Sequence, residues 1–187
     1  MIRREFAGTG ELLSVIGLGC WAMGGHLWGT QDDAASLAAG HAALDAGITW
    51  LDTAPFYGAG RSERICGQLV AERPASDRPL VFTKYGLFEN EQGQRVRLAT
   101  AASLRDECEA SLRNLGVERI DLWQMHWPVD EPTEQVAAVA QTLVEQGKVR
   151  WLGLCNASPE QVDDWLATGV PLHALQSPYS LFQREAE

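Results

Sequence analysis

No run of about 18 apolar residues occurs in this chain, so nothing in it reads as a membrane span. Behind the charges of Met1-Ile2-Arg3-Arg4-Glu5-Phe6 there is no apolar stretch of the kind a secretory signal carries, and none is expected to act as one. Cysteine is sparse. Cys20, Cys66, Cys108 and Cys155 lie far apart with no Cys-x-x-Cys pair, and His26, His41, His126 and His173 are equally scattered. That argues against a disulfide frame or a zinc site, and predicts reduced thiols in a cytoplasmic protein without a metal. Positive charge is scarce too: 15 Lys and Arg face 25 Asp and Glu, for a net charge of −10, with no basic cluster. Nucleic acid and anionic membrane surfaces are therefore poor partners, although a local pocket for a nucleotide phosphate stays compatible. A Gly-x-Gly-x-x-Gly turn opening a first helix is also missing. Gly17-Leu18-Gly19 leads into a long loop, and Gly24-Gly25 does not restore the spacing.

What remains is an ordinary globular composition, 45% hydrophobic and 21% charged, in 187 residues, a length that makes one domain with a real core. Residues 1–13 predict a small hairpin around Gly8-Thr9-Gly10. Val15 to Gly19 reads as a first buried strand, followed by a Gly- and Trp-rich loop to Thr30. Asp32-Asp33 start a helix with Leu37, His41 and Leu44 on one face, stopped by Gly47. The second strand runs into Asp52 and is ended by Pro55 and Gly58. A helix from Ser62 to Glu72 follows, then a third strand, Leu80 to Thr83, ending on Lys84. The polar stretch Leu87 to Leu98 predicts an exposed loop. Leu104, Cys108, Leu112 and Leu115 form the clearest helical stripe, with Gly116 as stop. Ile120 to Met125 is strand four. Pro132 opens the next helix, which presents Val136, Val139, Ala140, Leu143 and Val144 inward. Val149 to Leu154 is strand five, Ser158-Pro159-Glu160-Gln161 is a capping box, and Leu172 to Gln176 is strand six. The last residues read as the start of a further helix.

Strict alternation of strand and helix implies a parallel sheet with helical crossovers, which a doubly wound sheet and a (β/α) barrel both satisfy. The polar residues favour the barrel. Asp52, Lys84, His126, Asn156 and Gln176 fall at the C-terminal ends of successive strands, where barrel enzymes gather their chemistry. The expected fold is therefore α/β, of the (β/α)8 TIM-barrel type. Such a barrel has eight strands in about 250 residues, and six are legible here. The expectation is one barrel domain cut to about six βα units over residues 14–187, with the hairpin ahead of it.

An acid, a phenol, an ammonium and an imidazole at one rim suggest a chemistry. A free phenol, with a pKa of about 10, is a poor acid at neutral pH. A neighbouring ammonium favours the phenolate and lowers that value, and a buried carboxylate keeps the ammonium charged. Asp52, Lys84 and Tyr57 would make that relay, with His126 orienting a carbonyl oxygen or passing a proton from the other side. Such a site protonates an oxygen as charge builds on it, and the hydride must come from a nicotinamide cofactor. Seen singly, these residues have plainer readings: Asp52 as a turn cap, Tyr57 and His126 as rim packing, Lys84 as a solvated turn lysine.

The stretch Gly47-Ile48-Thr49-Trp50-Leu51-Asp52-Thr53-Ala54-Pro55-Phe56-Tyr57-Gly58 resembles a signature of the aldo-keto reductase family. It continues, as in the family, into Gly60-Arg61-Ser62-Glu63 and Gly67. Thr83-Lys84, Asp121-Leu122-Trp123-Gln124-Met125-His126-Trp127-Pro128 and Gly147-Lys148-Val149-Arg150-Trp151-Leu152-Gly153-Leu154-Cys155-Asn156 resemble further motifs of the family, in its order. The resemblance implies an NADP(H)-dependent oxidoreductase that reduces aldehydes and ketones, NAD(H) being an alternative cofactor. It implies Tyr57 as proton donor, Lys84 and Asp52 as its tuners, and His126 as the residue aligning a small carbonyl substrate. It further implies cofactor contacts from Gly19, Cys20, Trp21, Asp52, Cys155, Asn156 and Gln176, and a substrate pocket of Trp21, Tyr57, His126 and Trp127. Cys155 stands where the family usually has Ser, which weakens one contact to the nicotinamide carboxamide. Trp50, Trp123, Trp151 and Trp165 are expected to be packing. Because the family's later strands and phosphate-gripping segments have no counterpart here, the isolated chain is expected to bind NADP(H) weakly or not at all.

Two other classes of function compete. One is a non-catalytic cofactor-binding module, like the potassium-channel β subunits that resemble this family; an intact tetrad is more than such a module requires. The other is a Schiff-base aldolase using Lys84, which Asp52 disfavours by keeping the amine charged.

Overall fold

The computed structural model describes residues 1–25, 28–90 and 92–185; His26 lies outside them. Two antiparallel strands, β1 (Arg3–Glu5) and β2 (Leu12–Ser14), form the expected N-terminal hairpin. After it come β3 (Leu18–Gly19), α1 (Asp33–Asp45), β4 (Trp50–Asp52), α2 (Arg61–Ala71) and β5 (Leu80–Tyr85). A second hairpin, β6 (Leu87–Glu89) and β7 (Arg95–Arg97), leads into α3 (Ala101–Leu115) and β8 (Ile120–Met125). The chain closes with α4 (Thr133–Glu145), β9 (Val149–Cys155), α5 (Pro159–Ala167) and β10 (Ala174–Gln176). Helix starts follow the side chains that satisfy free backbone N–H groups. Asp32 accepts from Ala34 N at 2.8 Å, and Ser158 with Gln161 forms the full capping box. Pro132 takes the cap position of α4, one residue ahead of the first helical residue expected for it.

Strand order decides between the two architectures. The six parallel strands lie side by side as β10-β9-β8-β5-β4-β3, the order of the chain, without the reversal that defines a doubly wound sheet. The sheet is also curled. Gln176 on β10 donates to Asp52 on β4 at 3.2 Å, although three strands separate them and a flat sheet would hold them about 19 Å apart. This is barrel winding, with open edges at β3 and β10.

Alternation along the strands sorts the core into two layers. Leu51, Val81, Trp123 and Leu152 point outward against Ile65 and Leu69 of α2, Leu104 and Cys108 of α3, and Val136 and Ala140 of α4. Phe82, Leu122 and Trp151 point inward and meet Leu13 and Phe6 of the first hairpin, which plugs the N-terminal end of the barrel. Trp123 and Trp165 are wholly buried and Trp151 nearly so, as packing residues. The four cysteines are free and buried. Among the described residues no helix is long and apolar enough to cross a membrane.

Three expectations are corrected. Val15 to Gly19 is not a buried strand: only Leu18 and Gly19 pair, and Val15 and Ile16 are 46% and 58% exposed. As an edge strand, β3 has a neighbour on one side only, β4, so the residues before Leu18 have nothing to pack beneath. Leu87 to Leu98 is not a loop but a hairpin, because Asn90 Oδ1 accepts from Gln92 N and Gln94 N and so builds the turn, while Leu87 anchors it in the core. No helix begins after β10 among the described residues; the chain there is turns and bends.

Candidate active site

Inward-facing positions near the strand ends bring the polar residues together. Asp52 pairs in register with Phe82, so Lys84, two residues further along β5, stands one layer above Asp52. Lys84 Nζ donates to Asp52 Oδ1 at 2.7 Å and to Thr53 O at 3.0 Å, and the lysine is only 2% exposed. Burial opposes the ammonium, but Asp52, Tyr57 and Cys155 together outweigh it, and the Lys84 pKa ends above its ordinary value.

Tyr57 follows on the turn that leaves β4, with its N donating to Ala54 O at 3.0 Å and its O accepting from Ser62 N at 3.2 Å. Lys84 Nζ lies 5.3 Å from the Tyr57 ring centroid. Burial pushes the phenol up, and Lys84 pulls it down by less. The sequence expectation of a lowered value is thus reversed in net direction, because removal from water costs the phenolate more than one ammonium returns. His126, at the end of β8, stands nearly perpendicular to the Tyr57 ring, with centroids 5.6 Å apart and planes at 83°. Burial and then the Lys84 charge push its pKa down to about 3, so the imidazole is neutral over the physiological range.

The loop after β3 forms one wall. Trp21 is 42% exposed and stacks on Tyr57 at 6.0 Å. This spacing depends on a backbone contact that only glycine permits. A Cβ on Gly24 would sit 2.5 Å from the carbonyl carbon of Tyr57, and one on Gly58 would sit 2.1 Å from Gly24 O. Gly19 pairs with Asp52, and Cys20 N donates to Asp52 O at 2.8 Å. The Cys20 side chain turns away from the rim into the helix layer, where its contact with Cys66 and its burial raise its pKa. Any contact Cys20 makes to a cofactor is therefore through its backbone.

Across the rim, Cys155 Sγ donates to Gln176 Oε1 at 3.2 Å, and Gln176 Nε2 donates to Asp52. Burial pushes the Cys155 thiol up to about 12, so it acts as a neutral donor. Asn156, at φ +56°, donates through Nδ2 to His126 O at 2.9 Å. Trp127 is 37% exposed beneath the Arg97 guanidinium, 4.8 Å from its ring centroid.

Two clefts border this cluster. One, of about 490 Å³, runs down the inner face past Asp52, Gln124 and Gln176; the other, of about 720 Å³, lies between Trp127, Asn156, Leu175 and Gln183. Sequence reading assigned no role to Gln124. It stands beside Lys84 in the sheet, is 2% exposed, and its Nε2 has no partner among the described residues. Period-two alternation from Leu122 would have put it on the inner face. Arg95 and Arg97, which cover Phe56 and Trp127, were hidden in the segment read as a loop. No three His, Cys, Asp or Glu side chains gather to hold a metal among the described residues.

The sequence model of the aldo/keto reductase family matches residues 15–187. Aldo-keto reductase YhdN of Bacillus subtilis (strain 168) is 44% identical over 98% of this chain and 55% of its own length. The NADH-specific methylglyoxal reductase of Escherichia coli (strain K12) is 33% identical, covering 96% of this chain and 60% of its own. Among solved structures, the glycerol dehydrogenase AKR11B4 of Gluconobacter oxydans superposes with a TM-score of 0.88 at 44% identity, over 97% of this chain and 56% of that one. The chain thus spans 55–60% of the length of these curated relatives.

Proposed function

We propose, from the premise that this chain belongs to the aldo/keto reductase family, that its rim cluster reduces aldehydes or ketones to alcohols. The observation that carries this reading is the Lys84 ammonium, 2% exposed and held by Asp52 at 2.7 Å, facing the Tyr57 ring at 5.3 Å, with a neutral imidazole 5.6 Å from the same ring. Tyr57 is the proton donor. A raised pKa keeps its hydroxyl protonated at neutral pH, and Lys84 is placed to stabilise the phenolate left once the proton has gone to the substrate oxygen. Asp52 keeps Lys84 charged. Neutral His126 hydrogen-bonds the same oxygen and aligns it, since an imidazole titrating at about 3 holds no spare proton to pass. Trp21 and Trp127 give the mouth apolar walls, which suit small carbonyl compounds.

The residues present fit a nicotinamide. Among the described residues Asn156 commits only its Nδ2, leaving Oδ1 to accept, and Gln176 adds an amide at the rim. Asn156, Gln176 and the neighbouring Cys155 would hold the carboxamide, with the backbone of Gly19 and Cys20 and the Trp21 ring on the other side. The reduced ring, when bound, supplies the hydride. We read the dinucleotide as NADP(H), and NADH is assayed beside it because the Escherichia coli relative is NADH-specific by name.

Purified polypeptide is mixed with NADPH or NADH and benzaldehyde, and loss of the reduced-nicotinamide absorbance is followed. With dinucleotide in large excess to offset weak binding, the expected result is turnover that Tyr57→Phe lowers by about 10²–10⁴-fold. Turnover that survives Tyr57→Phe refutes the proton-donor role, and absence of turnover at dinucleotide concentrations shown by fluorescence titration to saturate the chain refutes the reductase reading. Faster turnover with NADH reverses the cofactor preference alone.

A further inference from the structure

Ser62 and Glu63 lie in the first turn of α2, on the outer face of the sheet and outside the rim cluster. Both are wholly buried, as are Thr53 and Thr83, the outward-facing neighbours in sequence of Asp52 and Lys84. Thr53 Oγ1 donates to Ser62 Oγ at 2.8 Å, and Ser62 Oγ donates to Cys20 O at 2.8 Å. Thr83 Oγ1 donates to Glu63 Oε1 at 2.7 Å, while Asn114 Nδ2 of α3 donates to Glu63 Oε2 at 2.9 Å. Two consecutive residues of one helix thus hold the ends of three strands and a second helix.

This grip lies where the pairing of β4 with β5 ends. Thr53 N still donates to Phe82 O, but beyond it the chain leaves β5 for the Tyr57 turn, and on that side β5 runs on unpaired to Lys84 and Tyr85, while β8 still pairs with it on the other. The ladder between β4 and β5 ends at Asp52 and Phe82, so no backbone bond between these two strands holds Lys84 itself against Asp52 and Thr53 O. A carboxylate suits the task because it is acceptor-only: it takes the Thr83 hydroxyl and the Asn114 amide together, and no rotation of the group presents a donor to either. Its partners among the described residues, Thr83 and Asn114, are neutral, and its cost of burial is offset by its place in the first turn of α2, where the helix dipole favours negative charge.

We propose that Ser62 and Glu63 are positioning residues for the candidate active site, holding Thr53 and Thr83 from outside the sheet so that Lys84 meets Asp52 on the inside. The assignment concerns the same site as the reductase reading, and its test is arranged to fail separately. The chain contains two lysines, Lys84 and Lys148. Lysine labelled at Cε therefore gives two NMR signals, and Lys84→Met assigns them. In Thr83→Val and in Glu63→Gln, the Lys84 signal is expected to titrate at least about one pH unit lower than in the unaltered chain, as its counter-ion draws away. Thr83→Ser, which restores the hydroxyl, is expected to restore the titration. Where carbonyl reduction is measurable, kcat is expected to fall about tenfold or more in the same two variants, with KM for the dinucleotide little changed. A Lys84 titration unmoved in both folded variants overturns the proposal, even if they melt earlier, since that is the signature of a purely structural role. If Glu63→Gln does not fold, Thr83→Val alone decides. A shifted titration in a chain that reduces no carbonyl supports the positioning and refutes only the reductase.

Discussion

Replacing Asp52 by Asn tests the centre of the site without reference to any substrate. The change keeps the shape of the side chain and removes its charge, leaving an ammonium that is 2% exposed with only neutral oxygens around it. Breaking a buried ion pair from one side costs about 3–5 kcal/mol. For a chain of this size each kcal/mol moves the melting temperature by about 2–4 °C, so the expected fall is roughly 6–20 °C. The pH dependence is more diagnostic than the size. In the unaltered chain the folded pKa of Lys84 lies above its unfolded value, so its contribution is complete below about pH 10 and is lost as pH rises through the folded pKa. Without Asp52 the largest influence left is burial, which lowers the pKa. The unfolded chain then binds the proton more tightly, and stability rises with pH over the window below about pH 10. Urea unfolding followed by circular dichroism at several pH values reads both effects. Adding Lys84→Met to Asp52→Asn removes the stranded charge and should restore most of the loss. An Asp52→Asn variant that loses less than about 1 kcal/mol and shows no rise of stability with pH would refute a buried, charge-dependent pair.

Two further outcomes follow from the geometry. His126 should show no imidazole titration by NMR across the physiological range, its value being near 3; a midpoint near the ordinary histidine value would mean that the ring is open to water. Gly24→Ala places a methyl 2.5 Å from the Tyr57 carbonyl carbon, and should cost about 1–3 kcal/mol and separate Trp21 from Tyr57, read by unfolding and by near-ultraviolet circular dichroism. An unchanged aromatic spectrum would show that Trp21 is not held through this contact.

Much of this protein is legible in one dimension because its signals are local. Helix starts at Asp32 and Ser158, the stop at Gly116, and the apolar stripe of α3 depend on neighbours within a turn or two. The alternation of strand and helix, with Asp52, Lys84, His126, Asn156 and Gln176 at successive strand ends, already favours a barrel, since parallel crossovers put all those ends on one face. Other features needed contacts between distant segments. Linear sequence does not show that β3 is an edge, so Val15 and Ile16 read as core although they face water. The second hairpin depends on Asn90 bonding the backbone beyond it, which polar composition alone does not reveal.

The candidate site divides along the same line. Which groups stand at the rim, and that a carboxylate, an ammonium, a phenol and an imidazole are among them, follows from the sequence. Tertiary structure alone decided how they act on one another, because electrostatic balance depends on depth as well as neighbours. Burial outweighs Lys84 at Tyr57, and Asp52 with its neighbours outweighs burial at Lys84. Only the curl of the sheet brings Gln176 across to Asp52, and only the packing of α2 outside the strands puts Glu63 behind Lys84.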